Sequence, residues 1–479
     1  MSDSLKEKTG SALFWNFIDK GGQQVIQLGF MCVLARLLLP DEFGLVGLLA
    51  VFTAVATLLQ DSGFSSALIR KKDIDEVDYA SVFYFNIAIS ITVYIVLFLC
   101  APFIADYYEI PLLAPLARII FISFVLNAFA IIQNVILIRE IDFRTNTRIT
   151  FIAGIISGAI AVLMAFKGYG VWSLAVQLVA QTFIRTLLLW MFVRWYPKEG
   201  FSFARLKEMT GYSMNLLVTA LLNQVVANIY PLIIGKTDLM DKVGFYTQAN
   251  KLTSILQSII GNSIQGVAYP VLSKLEERER VKRVFRKIIR ISSFIAFPAI
   301  ILLAIGAEPI VLIILSEKWL PSVPILQILA IGASVYPLYH VTNSLAQSLG
   351  HSKLMLKVEG FRNILSIAIL LVSVNYGIYA MVAGISTASI VAFVVNIYAT
   401  GRKISYSLTE AIKDIVPYLF IACCIFSPLY FLNRIVDNIY LLLAIQVVVG
   451  MGGYLLIVKL LGSRVLADCI EFIKNKKLK

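Results

Sequence analysis

Tyr79-Ala-Ser-Val-Phe-Tyr-Phe-Asn-Ile-Ala-Ile-Ser-Ile-Thr-Val-Tyr-Ile-Val-Leu-Phe-Leu-Cys-Ala-Pro-Phe-Ile104 contains no charged residue. About 20 apolar residues cross the hydrocarbon core of a bilayer as a helix, and this run exceeds that length. A membrane barrel strand alternates apolar and polar residues over about ten positions; here the apolar character is continuous, so the run is a helix. Outward from it, similar runs bounded by charge, Gly or Pro lie near 12–38, 43–61, 112–137, 149–166, 171–193, 211–235, 244–272, 291–315, 323–349, 358–374, 377–399, 415–432 and 438–458. The composition agrees: of 479 residues, 59% are hydrophobic and 15% charged, against about 45–50% and about 25% in soluble domains. With a mean hydropathy of +0.83, soluble enzymes and nucleic-acid-binding domains are excluded. The expected fold is an all-α polytopic membrane protein of about fourteen transmembrane helices, with kinks marked by Pro231, Pro270, Pro298 and Pro337.

Charge supplies orientation. With the N-terminus in the cytoplasm, 31 of the 42 Lys and Arg fall in segments on that side. Only Lys167, Lys236, Lys242, Lys318 and Arg434 fall opposite, and six lie within or at the ends of spans. This asymmetry places both termini in the cytoplasm. The net charge of +13 is thus an orientation signal that also favours anionic lipid, and no nucleic-acid partner is expected. The N-terminal segment carries Asp19 and Lys20 inside its apolar run and reads as a retained first span. Four of the five cysteines sit in apolar runs without a CxxC pattern, as buried or lipid-facing thiols do.

The chain repeats weakly at an offset of 200 residues. Gln24-Val-Ile26 corresponds to Gln224-Val-Val226, Leu34-Ala-Arg36 to Ile234-Gly-Lys236, Asp41 to Asp241, and Phe43-Gly44 to Val243-Gly244. Six spans separate the copies, so both share one orientation. The expected organisation is two parallel, pseudo-symmetric six-helix lobes, 1–200 and 201–400, followed by two further helices and a basic tail over 401–479.

Chemistry must come from inside the membrane. Gly235-Lys236-Thr237 lacks the first glycine of a phosphate loop, because Tyr230 stands there. His340 and His351 have no metal-ligand spacing around them, and read as structural. Polar residues in spans are costly unless they face protein or water. Asn16, Asp19, Lys20, Gln23, Gln24 and Gln27 form one face of the first span; Asn215, Thr219, Asn223, Gln224 and Asn228 do so in the seventh; Gln248, Lys251, Gln257, Asn262 and Gln265 follow in the eighth. These stripes either zip helices together or line a central cavity, and the cavity is the favoured reading. Intramembrane charge is biased to Lys20, Arg36, Arg118, Arg185, Lys251 and Arg362, with Asp19, Asp61, Glu308 and Glu359 as the acids. A basic cavity suits a phosphate-bearing substrate. Glu359 is expected to pair with Arg362, and the stretch 273–290 to form a structural amphipathic surface helix.

Leu34-Ala-Arg-Leu-Leu-Leu-Pro-Asp-Glu-Phe-Gly44, Asp61-Ser-Gly-Phe-Ser-Ser-Ala-Leu-Ile-Arg-Lys71, Gly168-Tyr-Gly-Val-Trp-Ser-Leu174, Gly244-Phe-Tyr246 and Lys318-Trp319 occur in the order found in bacterial polysaccharide transporters. The chain resembles the lipopolysaccharide/colanic-acid exporter type within the multidrug/oligosaccharidyl-lipid/polysaccharide exporter superfamily. That resemblance implies a non-enzymatic flippase. It would move polyprenyl-pyrophosphate-linked oligosaccharide across the inner membrane by alternating access, for O-antigen, capsule or exopolysaccharide synthesis. No cofactor is implied; an H+ or Na+ gradient would drive it, with Asp19, Asp61 and Glu308 as coupling candidates. The substrate-binding candidates are Lys20, Gln23, Gln27, Arg118, Arg185, Asn223, Lys251 and Arg362. Arg36, Pro40, Phe43, Gly44, Lys236 and Gly244 are assigned to gate and turn geometry, the two glycines on grounds of backbone freedom. Implied partners are the lipid-linked oligosaccharide, membrane lipid, and polysaccharide polymerase or assembly proteins. The rival is an ion-coupled multidrug or organic-cation exporter of the same fold, which an acidic cavity would favour.

Overall fold

A computed structural model describes residues 21–61, 63–71, 73–462 and 465, without the side chains at 211–216, 218, 219, 222, 227 and 352. The described residues form helices joined by short turns, and no strand occurs among them. Contacts group the chain into two compact units, Met1–Gly244 and Phe245–Lys479.

In the first unit, α1 covers 21–37. It is followed by α2 (Pro40–Asp61), α3 (Phe64–Arg70), α4 (Glu76–Tyr108), α5 (Leu113–Ala128), α6 (Ile131–Arg139), α7 (Phe143–Phe166), α8 (Val171–Val193) and α9 (Phe203–Thr237). The run that opened the reading is α4. Its start is fixed by a capping box, in which Asp75 accepts from the Asp78 N–H and Asp78 accepts from the Asp75 N–H, satisfying two orphan donors at once. Helix α1 approaches α7 closely because α7 presents small residues. Cβ atoms at Gly22 and Gly158 would overlap the rings of Phe151 and Phe30, and one at Gly154 would lie 3.7 Å from Ile26. The Gly154-x-x-x-Gly158 spacing sets a shallow groove along one helix face, where dispersion rather than hydrophobicity holds helices together in lipid. Leu45, Leu48, Leu116, Phe121 and Phe124 of α2 and α5 are core residues of this unit.

Helix α10 (Met240–Leu272) begins in the first unit and continues into the second. There follow α11 (Arg278–Ile305), α12 (Ala307–Ile314), α13 (Ser322–Ala333), α14 (Tyr336–Ser348), α15 (Ser352–Ser373), α16 (Ile378–Gly401), α17 (Leu408–Tyr430) and α18 (Ile439–Leu460). The core of the second unit gathers Phe285, Ile289, Phe297, Leu338, Phe426 and Tyr454, all buried.

Among the described residues, nine helices are long and apolar enough to cross a membrane, or ten if α5 and α6 count as one bent span. Expected spans near 211–235, 244–272 and 358–374 coincide with α9, α10 and α15, and the expected span near 12–38 includes α1. Breaks do not follow proline. Helices run through Pro231, Pro270 and Pro298, whereas α5 and α6 bend by 46° at Phe129–Ala130. Only Pro337 lies at a break, in the first turn of α14.

The stretch 273–290 is not a separate surface helix. Its charged part is the first half of α11, which continues into the apolar run. Val281, Phe285 and Ile289 are buried in the core, and Phe285 packs edge-on against Tyr406 at 5.4 Å. The physical reason is a protein partner: α17 offers Asp414 and Glu410 to the cations of α11.

Candidate functional site

The repeated motif is built by contact between helix starts. A Cβ at Gly44 would overlap the carbonyl oxygen of Met240, and a Cβ at Gly244 would overlap the carbonyl oxygen of Pro40. The first turns of α2 and α10 thus cross backbone to backbone, each through the glycine of its own repeat. Neither glycine has positive φ, so space rather than conformational freedom demands glycine here. Beside this crossing, Lys236 closes the end of α4. Its ammonium donates to the Tyr107 carbonyl at 2.7 Å, lies 3.5 Å from Glu109 and sits 4.8 Å from the Tyr107 ring centroid. A cation at a helix C-terminus meets the negative end of the dipole. Phe43 packs against the α1–α7 contact, while Arg36 is exposed.

Around the α5–α6 break, three side chains from other helices donate to backbone carbonyls inside the span. Gln60 Nε2 donates to Phe124 O at 2.8 Å, Thr186 Oγ1 to Leu126 O at 3.1 Å, and Trp190 Nε1 to Phe129 O at 2.7 Å. Irregular backbone at membrane depth survives only with such replacement partners. Arg185, one residue before Thr186, donates to Asn134 Oδ1 of α6 at 2.8 Å. Asn127 Nδ2 donates to Gln60 Oε1 at 3.0 Å. Asp61, at the end of α2, accepts from the Ser65 hydroxyl.

The other candidates separate by how their charge is used. Arg362 is paired with Glu359 at 2.7 Å, and Glu359 also accepts from the Tyr339 hydroxyl at 2.9 Å. Arg118 lays its guanidinium 4.3 Å from the centroid of Phe98, and its buried Nε has no hydrogen-bond partner among the described residues. Lys251, in α10, has neither an ion pair nor a side-chain hydrogen bond among them. One turn earlier, the buried Oε1 of Gln248 has no partner either. Glu308 accepts from Asn433 at 3.2 Å, and Asn433 in turn accepts from Gln446 at 2.8 Å, tying α12 to the turn after α17 and to α18. Gln23 and Asn223 are half-buried and Gln27 is exposed. Asp19 and Lys20 lie outside the described residues.

Sequence reasoning missed several polar positions. Asn86 and Ser90, in the opening run itself, are fully buried without partners among the described residues. In the second unit, Asn396 of α16 donates to Thr342 Oγ1 at 2.9 Å and Asn343 Oδ1 at 2.8 Å, and Thr400 donates to Asn396 at 3.1 Å. The available signal was an amide inside an apolar run. Single amides were passed over in favour of stripes. His340 packs against Tyr336 at 4.6 Å between ring centroids.

One end of the first unit is strongly ionic. Buried Asp78 lies 2.8 Å from Lys71, and Asp75 lies 2.7 Å from Arg205. Arg139 donates to the carbonyls of Leu68 and Lys71 at 2.6 and 2.7 Å, closing α3. Burial works against the Lys71 ammonium, yet Asp78 holds its pKa above the ordinary lysine value. The Asp78 backbone N–H holds the Asp75 carboxyl below the ordinary range.

Comparison with known proteins extends this picture. A family model described as "Polysaccharide biosynthesis protein" matches residues 33–324. The succinoglycan biosynthesis transport protein ExoT of Rhizobium meliloti (strain 1021) is 26% identical over 322 residues, covering 67% of this chain and 65% of that protein. The teichuronic acid biosynthesis protein TuaB of Bacillus subtilis (strain 168) is 24% identical over 88% of each chain. The lipopolysaccharide biosynthesis protein WzxC of Escherichia coli (strain K12) is 25% identical over 76% of this chain and 75% of that one. The fold is similar to the lipid II flippase MurJ in an inward closed conformation, with a TM-score of 0.78, 15% identity, and coverage of 96% of this chain and 100% of that chain. It is also similar to an inward-facing multidrug resistance MATE family transporter, with a TM-score of 0.63, 17% identity, and coverage of 80% and 94%.

Proposed function

The chain belongs to the polysaccharide biosynthesis protein family, and from that premise we propose that it is a flippase for lipid-linked oligosaccharide rather than an enzyme. The substrate is a polyprenyl-pyrophosphate-linked unit, passed from the cytoplasmic to the outer leaflet of the inner membrane by alternating access of lobes 1–200 and 201–400. The observation that carries this reading is Lys251. It sits in α10 with no acid beside it among the described residues, one turn from the orphan carbonyl of Gln248. An intramembrane ammonium is costly without a counter-ion, and a pyrophosphate supplies one. Arg118, with an unfilled Nε, is the corresponding group of the first unit. Lys20 is proposed beside it from sequence. Arg185 acts differently: bonded to Asn134, it holds the inner segment of the broken span.

Sugars and pyrophosphate lose their hydrogen bonds to water in hydrocarbon. Polar stripes on α1, α9 and α10 replace them, while the prenyl chain stays in lipid. Among the described intramembrane acids, Glu359 is matched to Arg362 rather than left open to an organic cation. Coupling to an H+ or Na+ gradient is assigned to the carboxylates Asp19, Asp61 and Glu308, and a potential of 100 mV supplies about 2.3 kcal/mol per charge moved.

The test is a leaflet-sidedness assay with purified protein in vesicles containing defined lipid-linked oligosaccharide. Lys251→Met is expected to slow translocation by about tenfold or more, the worth of one charge-assisted contact. Lys251→Arg should retain most activity. Equal rates for wild type and Lys251→Met would refute the assignment, and no translocation by wild type would refute the flippase reading.

A further inference from the structure

We infer, on the strength of the flippase reading above, that Glu359 is a resident counter-ion for Arg362. It stands where the substrate's pyrophosphate binds and gives way to it in each cycle. Glu359 and Arg362 are three residues apart in α15, the spacing that brings side chains together on one helix face. Arg362 comes five residues after Lys357, about 7–8 Å further along the helix and inside the span expected at 358–374. Charge within a span is costly unless it faces protein or water. The side chains of Arg362 and Glu359 remain 32% and 26% exposed, so the pair is open to a ligand rather than sealed in the core.

The geometry is that of an exchangeable pair. Arg362 Nη2 lies 2.7 Å from Glu359 Oε2, yet that buried oxygen has no hydrogen-bond partner among the described residues. The contact is therefore Coulombic, without an aligned N–H. A diphosphate carries more charge than one carboxylate and offers oxygens that a guanidinium fork meets two at a time, so it displaces Glu359. The carboxylate has a second anchor to stay on: its Oε1 accepts from the Tyr339 hydroxyl at 2.9 Å. The ring centroid of the same tyrosine lies 5.6 Å from the guanidinium carbon of Arg362. Tyr339 is buried in the core of the unit and is a fixed post for both partners.

When the substrate has left, an unmatched guanidinium would be costly inside the span. Glu359 then supplies the missing charge. No rival acid stands close by, since α14 and α16, which pack against α15, contain no carboxylate. The same competition limits how tightly pyrophosphate is held and so speeds its release. Lys251 has no such partner among the described residues, so the two cations of this unit are used differently.

Binding of farnesyl pyrophosphate to the full chain in detergent, with farnesol as the uncharged comparison, tests this beside turnover in the leaflet-sidedness assay. Glu359→Gln keeps the volume and removes the charge. It should bind farnesyl pyrophosphate about threefold or more tighter than wild type, the worth of a partly exposed ion pair no longer in competition. Its maximal translocation rate should fall, because release is slowed; an undiminished rate would show that Glu359 takes no part in the cycle. Arg362→Gln should bind more weakly, and the double variant should match Arg362→Gln, since Glu359 acts only through the arginine. A merely structural ion pair predicts the opposite for Glu359→Gln, a lower melting temperature with unchanged or weaker binding. That result overturns the proposal, as does tighter binding from Glu359→Gln once the arginine is gone. Glu359→Asp draws the carboxylate back by one methylene and covers the case in which the glutamine variant does not fold. It too should bind more tightly than wild type, and equal or weaker binding overturns the proposal. Wild type that does not distinguish farnesyl pyrophosphate from farnesol would refute the pyrophosphate reading itself, whereas discrimination insensitive to residue 359 refutes the counter-ion alone.

Discussion

Glycine at 44 and at 244 is explained by what lies opposite, a backbone carbonyl that cannot move aside as a side chain can. Protein interiors respond to small added volumes because they are close-packed. A methyl forced into such a contact costs about 3 kcal/mol or more, the upper range of overpacking. Gly44→Ala and Gly244→Ala are therefore each expected to lower the thermal midpoint of the detergent-solubilised protein by several degrees. Gly29→Ala is the control. Nothing lies within 4 Å of the position its Cβ would take, and helix propensity favours alanine by up to about 1 kcal/mol, so its midpoint should hold or rise. Equal midpoints for all three variants would refute the crossing. The sequence already paired these two positions, because both fall at the same place in a 200-residue repeat. The reason for glycine was misread as turn geometry, since no local pattern tells a residue which distant backbone it will touch.

A helix is broken most readably by proline, and the α5–α6 bend shows how little that rule sees. Asn127-Ala-Phe-Ala-Ile131 contains neither proline nor glycine. The bend exists because donors for the carbonyls around it are at hand, and those donors come from α2 and α8, 60 or more residues away in sequence. Apolar length and the charge census could give the elements and their order; they could not give a break whose cause is tertiary. The same limit applies to the candidate site. Intramembrane cations were legible as a set, but only the fold separates Arg362, paired with Glu359, from Lys251. At the break, Thr186→Val removes a hydroxyl at nearly constant volume and leaves Leu126 O unpaired in a dry environment. It should destabilise by about 1–3 kcal/mol. Thr182→Val provides the comparison, because its hydroxyl donates to Leu178 O within the same helix at an exposed position. Thermal unfolding of the two variants should differ by at least about 1 kcal/mol; matched values would mean the bend does not need its donor.

At the scale of the whole chain, everything about direction rests on each long helix crossing the membrane once. Helices α9 and α10 are the weak links in that count, since both are long and both carry a row of amides and hydroxyls through the span. If only one of them crossed, every loop after Leu272 would change sides. Lys318 would then face the cytoplasm and Lys403 the outside, destroying the asymmetry that spans 31 basic residues. If neither crossed, later loops would keep their sides and the census would hardly notice. The connection between α9 and α10 decides that case, and Leu239 within it is exposed. Single cysteines at Lys167, Leu239 and Lys318, in a chain freed of its own cysteines, should react with a membrane-impermeant maleimide in cells whose outer barrier has been opened. Cysteines at Lys198 and Lys403 should react only after the inner membrane is permeabilised. Labelling of Leu239→Cys from the cytoplasmic side alone would show that the polar pair does not span. That result would remove Lys251 from the membrane and withdraw the physical ground for its role with pyrophosphate, because an ammonium in water needs no substrate as counter-ion.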